Sequence, residues 1–144
     1  MKKVKELLSA KQGEIWSISP DATVLDAITM MAEKNVGALL VLQDGRLAGI
    51  LSERDYARRV ILAGRSSRNT SVSEIMSSRI VCVDPDKTVE ECMAVMTDKR
   101  IRHLPVMDGK ELLGVVSIGD LVKAVIAEQK FVIEQLENYI TGSW

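Results

Sequence analysis

The sequence predicts an α/β (α+β) fold made of two copies of one small unit, each a three-stranded sheet packed with two helices. Three observations carry this. Pro20-Asp21-Ala22-Thr23-Val24 returns as Pro85-Asp86-Lys87-Thr88-Val89, an offset of 85 - 20 = 65. Met31, Lys34, Val36 and Val41 match Met96, Lys99, Ile101 and Val106 at that offset. Beyond the turns Asp44-Gly45 and Asp108-Gly109, the same 65 is restored at Gly49/Gly114, Ser52/Ser117 and Asp55/Asp120. The division is a first repeat over 1–68, with its core at about 15–64, and a second over 69–144, with its core at about 80–127 and an extended C-terminal helix.

Taken in order, Ile15 to Ile18 and Ile80 to Val83 alternate as short strands do. Pro-Asp turns then lead to Thr23-x-x-Asp26 and Thr88-x-x-Glu91, which have the form of capping boxes and start helices. Val24, Ala27, Ile28 and Met31 fall on one face, as do Val89, Cys92, Met93 and Met96, while Asp26, Glu33, Glu90 and Asp98 face out. The methionines read as core filler. Hairpins follow, from Ala38 to Leu42 back through Leu47 to Leu51, and from Leu104 to Met107 back through Leu112 to Val116. Pro105 should interrupt its strand's pairing or lie at an edge. A second helix runs from about Glu53 to Ala63 and stops at Gly64, before a polar linker from Arg65 to Ser71. Its counterpart, from about Ile118 to Thr141, carries an apolar stripe through Leu121, Val122, Val125, Ile126, Ile133, Leu136 and Ile140, and half of it should project beyond one repeat's core.

Composition narrows the function classes. A hydrophobic fraction of 47% beside 27% charged residues excludes disorder, and the longest apolar run, Ala38 to Leu42, is far short of a membrane span. Met1 to Glu6 turns acidic before a signal-type apolar core develops, so the expected location is the cytoplasm. A net charge of -1 gives no global attraction for nucleic acid or anionic membrane. Cys82, between Val81 and Val83, and Cys92, on a helix stripe, read as reduced core thiols. His103 is the only histidine, which removes His-pair metal sites. There is no Walker-type loop and no dinucleotide fingerprint, and no paired-carboxylate site can be placed, so neither catalytic nor metal-binding residues are assigned.

Taken together and twice over, Pro20-Asp21-x-Thr23-Val24 with Pro85-Asp86-x-Thr88-Val89, Arg102-His103-Leu104-Pro105-Val106, and the segments Gly49 to Asp55 and Gly114 to Asp120 resemble the cystathionine β-synthase (CBS) domain, which occurs in tandem pairs called Bateman modules. The match covers nearly the whole chain. Ser52-Glu53-Arg54-Asp55, the linker Gly64-Arg65-Ser66-Ser67 and the tail from Glu134 to Gly142 look like a subgroup of small stand-alone bacterial CBS-pair proteins. The resemblance implies two repeats related by a pseudo-twofold axis, with two clefts that hold adenosyl ligands such as AMP, ADP, ATP, NAD or S-adenosylmethionine. It implies crosswise binding as well. One cleft would combine Ile18, Val36, Gly37, Val115, Ser117 and Asp120; the other, Ile80, Ile101, Ile50, Ser52 and Asp55. Arg102 and His103 lie where family members contact phosphates. Repeat 1 departs from the pattern with Gly37-Ala38 at that place, so equal clefts are not implied.

Ser52-x-x-Asp55 and Ser117-x-x-Asp120 are also capping boxes, so their structural account is complete without a ligand. Capping and binding are compatible: a capped helix start offers backbone N–H groups to an anion, and a carboxylate beside it can accept both ribose hydroxyls. Arg54, Arg58, Arg59, Arg65 and Arg68 stand against Glu53 and Asp55, a local surplus of 5 - 2 = +3. Arg58 and Arg59 read as a solvated helix face, whereas Arg54 can aim at a phosphate. The expected function is a non-enzymatic sensor binding AMP, ATP or NAD, acting as a homodimer on an unidentified regulated protein and not at a membrane. A ligand-independent dimerisation or interaction module and a nucleic-acid binder are the alternatives.

Overall fold

A computed structural model describes residues 2–10 and 16–142. Along the chain run α1 (Val4–Ala10), β1 (Ser17–Ile18), α2 (Val24–Lys34), β2 (Ala38–Gln43), β3 (Arg46–Ser52), α3 (Glu53–Tyr56), α4 (Val72–Ile75), α5 (Val89–Lys99), β4 (His103–Asp108), β5 (Glu111–Ser117) and α6 (Ile118–Thr141). The chain forms two compact units, one of residues 14–81 and the other of 1–13 with 82–144. The boundary expected at 68/69 is therefore not where the compact units part.

In the unit of residues 14–81, β1 lies parallel to β2 and β2 antiparallel to β3. The expected first strand is present as Ser17–Ile18, and Ile15 lies outside the described residues. Asp44 and Gly45 both take positive φ, 52° and 77°, the type I′ pattern that matches strand twist in a two-residue hairpin. Thr23 caps α2 by accepting from the Asp26 N–H at 3.1 Å, but the reciprocal carboxylate bond of a full box is not made there. Val24, Ala27, Met31, Leu39, Val41, Leu51 and Val60 form the core, together with Val72 and Ile75.

Those last two residues explain the boundary. The Val72 N–H donates to the Ala22 carbonyl at 2.8 Å, the Val24 N–H to the Thr70 carbonyl at 2.9 Å, and Ile50 and Ser77 exchange bonds of 3.0 and 2.9 Å. Buried Thr70 donates its hydroxyl to the Ser66 carbonyl at 2.6 Å. The linker is thus a clip that closes the first repeat. It also changes the role of Arg59, which is not simply solvated: its guanidinium donates to the carbonyls of Ile75 at 3.0 Å and Met76 at 3.3 Å. The helix expected from Glu53 to Ala63 is α-helical only over Glu53–Tyr56 and winds as a π-helix over Ala57–Ile61. Leu62 and Arg65 donate five residues back, to Ala57 and Val60, and the wider turn leaves Val60 buried while Ile61 and Leu62 face solvent.

The other unit repeats this plan with one strand fewer. β4 and β5 pair antiparallel, and the strand expected at Ile80 to Val83 is reduced to a single parallel bridge, Val83 with Val106. Pro105 supplies the reason. In the first repeat the Leu40 N–H donates to the Trp16 carbonyl at 3.2 Å; the equivalent bond, 65 residues on, would run from Pro105 to Val81, and proline has no N–H to give. Pro105 nevertheless stays in the β4–β5 ladder opposite Val115. Cys82 alternates with Val83, which is buried at the bridge to Val106, and is itself exposed, contrary to the expected core thiol, whereas Cys92 is buried.

The clip of this unit comes from the N-terminus. The Val4 N–H donates to the Lys87 carbonyl at 2.8 Å and the Val89 N–H to the Lys2 carbonyl at 3.0 Å, the same bridge geometry as Thr23 with Ser71. Val4 is buried, and Lys5 pairs with Asp86 at 3.1 Å. Glu90, expected to face out, is half-buried in the first turn of α5 where this segment crosses; its Oε2 is sealed from solvent with no hydrogen-bond partner among the described residues. Thr88 and Glu91 form the full capping box of α5. α6 matches its expected span, and Leu121 and Ala124 are its buried residues. Among the described residues, no helix is long and apolar enough to cross a membrane.

Candidate functional site

Each hairpin ends in a serine that caps the next helix. In the first unit, Asp55 Oδ2 accepts from the Ser52 N–H at 2.9 Å and from the Ser52 hydroxyl at 3.0 Å, while Ser52 Oγ accepts from the Asp55 N–H at 3.2 Å. In the second, Asp120 Oδ2 accepts from the Ser117 N–H at 2.8 Å and Ser117 Oγ accepts from the Asp120 N–H at 3.1 Å. These bonds fix each carboxylate at the mouth of its helix, the capping function expected of the pattern.

A second set of bonds brings the chain after α2 and α5 to the same corners. α2 ends on Asn35 and α5 on Arg100, both left-handed, with φ of 54° and 56°. Val36 and Ile101 then donate back to Met31 and Met96, turning the chain toward the hairpin. The Glu53 N–H donates to the Gly37 carbonyl at 3.0 Å, and the Ile118 N–H to the Arg102 carbonyl at 2.9 Å. Ala38 faces Ser52 across β2–β3, and His103 faces Ser117 across β4–β5. The structure thus gathers Val36, Gly37, Ile50, Ser52, Arg54 and Asp55 around one corner of the first unit, with Ile18 in the neighbouring strand of the same sheet. It gathers Ile101, Arg102, His103, Val115, Ser117 and Asp120 around the equivalent corner of the second. Ile80 belongs to the first unit and lies outside any helix or strand.

Burial suits a site that is partly open. The aliphatic members Ile18, Val36, Ile50, Ile80, Ile101 and Val115 are all half-buried, as are both serines and both aspartates, whereas Arg54 and Arg102 are exposed. The expectation that the helix starts offer open N–H groups to an anion is narrowed. Two of the first three amides in each helix are engaged, by Gly37 and Ser52 in one corner and by Arg102 and Ser117 in the other. Charge for a phosphate must come from side chains instead. Arg54 supplies one in the first corner; its counterpart 54 + 65 is Gly119, while Arg102 and His103 stand where the first repeat has Gly37 and Ala38. The two corners share a carboxylate and differ in their cations.

The bonds from Glu53 to Gly37 and from Ile118 to Arg102 were not legible beforehand, because backbone-to-backbone contacts leave no residue-type signature. Lys34 stacked over the Trp16 ring at 4.4 Å was missed as well, although a lysine and a tryptophan near one sheet edge are a possible cation–π signal.

Comparison with known proteins bears on the same residues. The CBS domain family matches residues 4–62 and 72–127. The "CBS domain-containing protein CBSX3, mitochondrial" of Arabidopsis thaliana is 44% identical over 141 residues, covering 94% of this chain and 68% of that protein. A solved structure of a protein with CBS domains from Burkholderia ambifaria MC40-6 superposes with a TM-score of 0.86 at 50% identity, over 89% of this chain and 96% of the other. The hexameric CBS-CP12 protein from bloom-forming cyanobacteria gives 0.76 at 31% identity, over 85% and 70%.

Proposed function

The chain belongs to the CBS-domain family, and on that premise we propose that it is a non-enzymatic sensor that holds an adenosine nucleotide such as AMP, ATP or NAD and signals through its state of assembly. Stand-alone CBS-domain proteins are generally regulatory, and CBS domains commonly bind adenosine ligands. The observation that carries the proposal is the Ser–Asp box closed in both units beside the chain that leaves α2 or α5. A ribose donates its two hydroxyls to such a carboxylate, and half-buried aliphatic side chains suit the faces of an adenine. By the family's crosswise pattern, Ile18, Val36 and Gly37 serve one ligand with Val115, Ser117 and Asp120, while Ile80 and Ile101 serve the other with Ile50, Ser52 and Asp55. Arg102 and His103 would meet phosphate oxygens at one corner and Arg54 at the other.

Calorimetric titration of AMP and adenosine tests this. Asp55→Ala and Asp120→Ala should each lose about 1.5–3 kcal/mol at one site, roughly 10- to 150-fold in affinity. Arg102→Ala should narrow the preference for AMP over adenosine. Unchanged affinity in both aspartate variants refutes the assignment, and product accumulating in proportion to protein in a chromatographic turnover assay refutes a purely binding role.

Self-association belongs to the same proposal, in the form of a homodimer. The family includes a hexameric member, and α6 carries apolar residues turned to solvent. A nucleic-acid role loses support, because Arg59 is engaged by the Ile75 and Met76 carbonyls and Arg65 by Glu74 at 2.6 Å.

A further inference from the structure

Six residues of α6, Val122, Ile126, Gln129, Ile133, Leu136 and Ile140, follow one another at spacings of 4, 3, 4, 3 and 4. This is the seam of a two-stranded coiled coil, about 27 Å long at 1.5 Å per residue. All six are exposed, with Ile126 at 47%, Ile133 at 53%, Leu136 at 57% and Ile140 at 81% of full accessibility. Leu121 and Ala124 occupy the buried side of the helix, so the seam is a separate face. Isolated exposed apolar residues are ordinary on a protein surface, but a continuous row of them in heptad register is the mark of an interface.

Charge selects the occupant and its direction. Before Phe131, α6 carries Lys123 and Lys130 with Asp120 and Glu128, a balanced half; from Phe131 to Thr141 the charged residues are Glu134 and Glu137 alone, a net-acidic half. A parallel pair would set the acidic halves side by side. An antiparallel pair of identical helices sets each acidic half against the lysine-bearing half of the other.

Resting on the self-association proposed above, we infer that α6 pairs with α6 of a second copy of this chain as an antiparallel coiled coil about a twofold axis. The seam residues then meet in pairs whose numbers sum to 262: Ile126 with Leu136, Gln129 with Ile133, and Val122 with Ile140. Along one flank Lys123 faces Glu137 of the other copy, twice per dimer by symmetry. Lys130 meets its own copy there, with Glu134 one turn away on each helix to receive it. Along the other flank Val125 lies opposite Tyr139 and Val132 opposite itself, extending the apolar contact. Gln129 is long enough to carry its amide to the edge of the seam, and the two layers it forms with Ile133, one on each side of the twofold axis, fix the register.

Cysteine cross-linking of the full chain, in a Cys82→Ser background that keeps buried Cys92, tests the direction. Ile126→Cys and Leu136→Cys chains, one of them affinity-tagged, are mixed and mildly oxidised. Disulfide-linked mixed dimers are expected, with little product from Leu136→Cys alone. Efficient linking of Leu136→Cys to itself would establish a parallel pair and overturn the inference while leaving self-association intact. Sedimentation equilibrium provides the second readout: Leu136→Asp, at an exposed position, should weaken the dimer on the order of 100-fold or more while its circular dichroism remains that of the folded chain. A dimer unaffected by Leu136→Asp overturns the seam alone, whereas a wild-type monomer at micromolar concentration overturns the inference together with the proposed homodimer.

Discussion

Gly49 and Gly114 occupy equivalent places in β3 and β5, yet replacing each with alanine should have opposite consequences. A Cβ on Gly49 would lie 2.7 Å from Met76 Sδ and 2.9 Å from the Ser77 carbonyl oxygen. The methionine can swing away; the carbonyl cannot, because Ser77 is held to Ile50 by bonds of 3.0 and 2.9 Å. A Cβ on Gly114 would meet Leu8 Cδ2 at 2.9 Å, with its next neighbours at 3.6 and 3.7 Å on the same side chain. A leucine methyl yields at a rotamer cost of about 0.5–1.5 kcal/mol, which the lost freedom of glycine in the unfolded chain offsets by roughly 0.4–1 kcal/mol. Gly114→Ala should therefore stay within about 1 kcal/mol of wild type, whereas Gly49→Ala, which forces backbone to move, should cost about 1–3 kcal/mol. At about 4 °C per kcal/mol, that lowers the thermal midpoint by about 4–12 °C. Thermal and urea unfolding followed by circular dichroism measures the difference, and amide exchange at Ile50 and Ser77 should accelerate in Gly49→Ala. Equal shifts in the two variants, or a larger one in Gly114→Ala, would refute the argument that a fixed carbonyl covers Gly49 and a deformable side chain covers Gly114.

Gly119 sits in the first turn of α6 with a φ outside the left-handed region and only Ser117 Oγ, at 3.6 Å, near a would-be Cβ, so Gly119→Ala should stabilise the fold by about 0.5–1 kcal/mol in urea unfolding. Three carboxyls are held below their usual range: Glu74 chiefly by the Ser71 N–H with Arg65 beside it, Glu91 by the Thr88 N–H, and Asp86 by Lys5. Groups depressed in this way stabilise the fold above their unfolded values, near pH 4, and lose that contribution as pH falls through the folded values. Stability measured from pH 6 to pH 2.5 should therefore decline below about pH 4.5, and the decline should be shallower in Glu74→Gln/Glu91→Gln. Burial, assisted by the Glu91 carboxylate, pushes the Cys92 thiol up to about 11, so at pH 8 a thiol reagent should label Cys82 in the native chain and Cys92 only after denaturation.

What the sequence conveyed was whatever a side chain's type dictates locally. The Ser–Asp boxes, the turn at Asp44-Gly45 and the span of α6 are short-range, and each stands where the pattern put it, whereas the second hairpin turns one residue later than expected, at Gly109-Lys110, with Asp108 ending β4. The pieces it concealed are those whose partners lie far along the chain. Residues 2–10 close the repeat that begins about 80 residues later, and residues 70–77 close the one that precedes them; both clips are short helices with too few turns to show a period. Cys82 shows the limit of reading burial from neighbours: beside inward-facing Val83 it alternates outward, in a strand that Pro105 shortens by withholding a bond.

That same position shows how a duplication comes to work unequally. Pro105 shortens one sheet, Gly119 leaves one helix start without the cation that Arg54 gives the other, and Arg102 and His103 fill a place that Gly37 and Ala38 leave bare. Each departure falls within or directly beside a site corner, while the cores keep their repeat: Val24 with Val89, Ala27 with Cys92, Met31 with Met96, Leu39 with Leu104, all buried. The helix faces differ too, as in Leu25 against Glu90 and Thr29 against Ala94, so what bears on the sites is the chemistry of the corner departures and not their number. Corners of different charge fit the two proposed nucleotide sites having different preferences, and they locate the substitutions that should interchange them. Gly119→Arg should strengthen phosphate-bearing ligands at the Asp120 corner, since the position has room for a side chain and the first repeat already carries an arginine there. Titration of AMP against adenosine should then show the preference for AMP rising at one site only, and an unchanged preference would mean that this helix position does not face the phosphate.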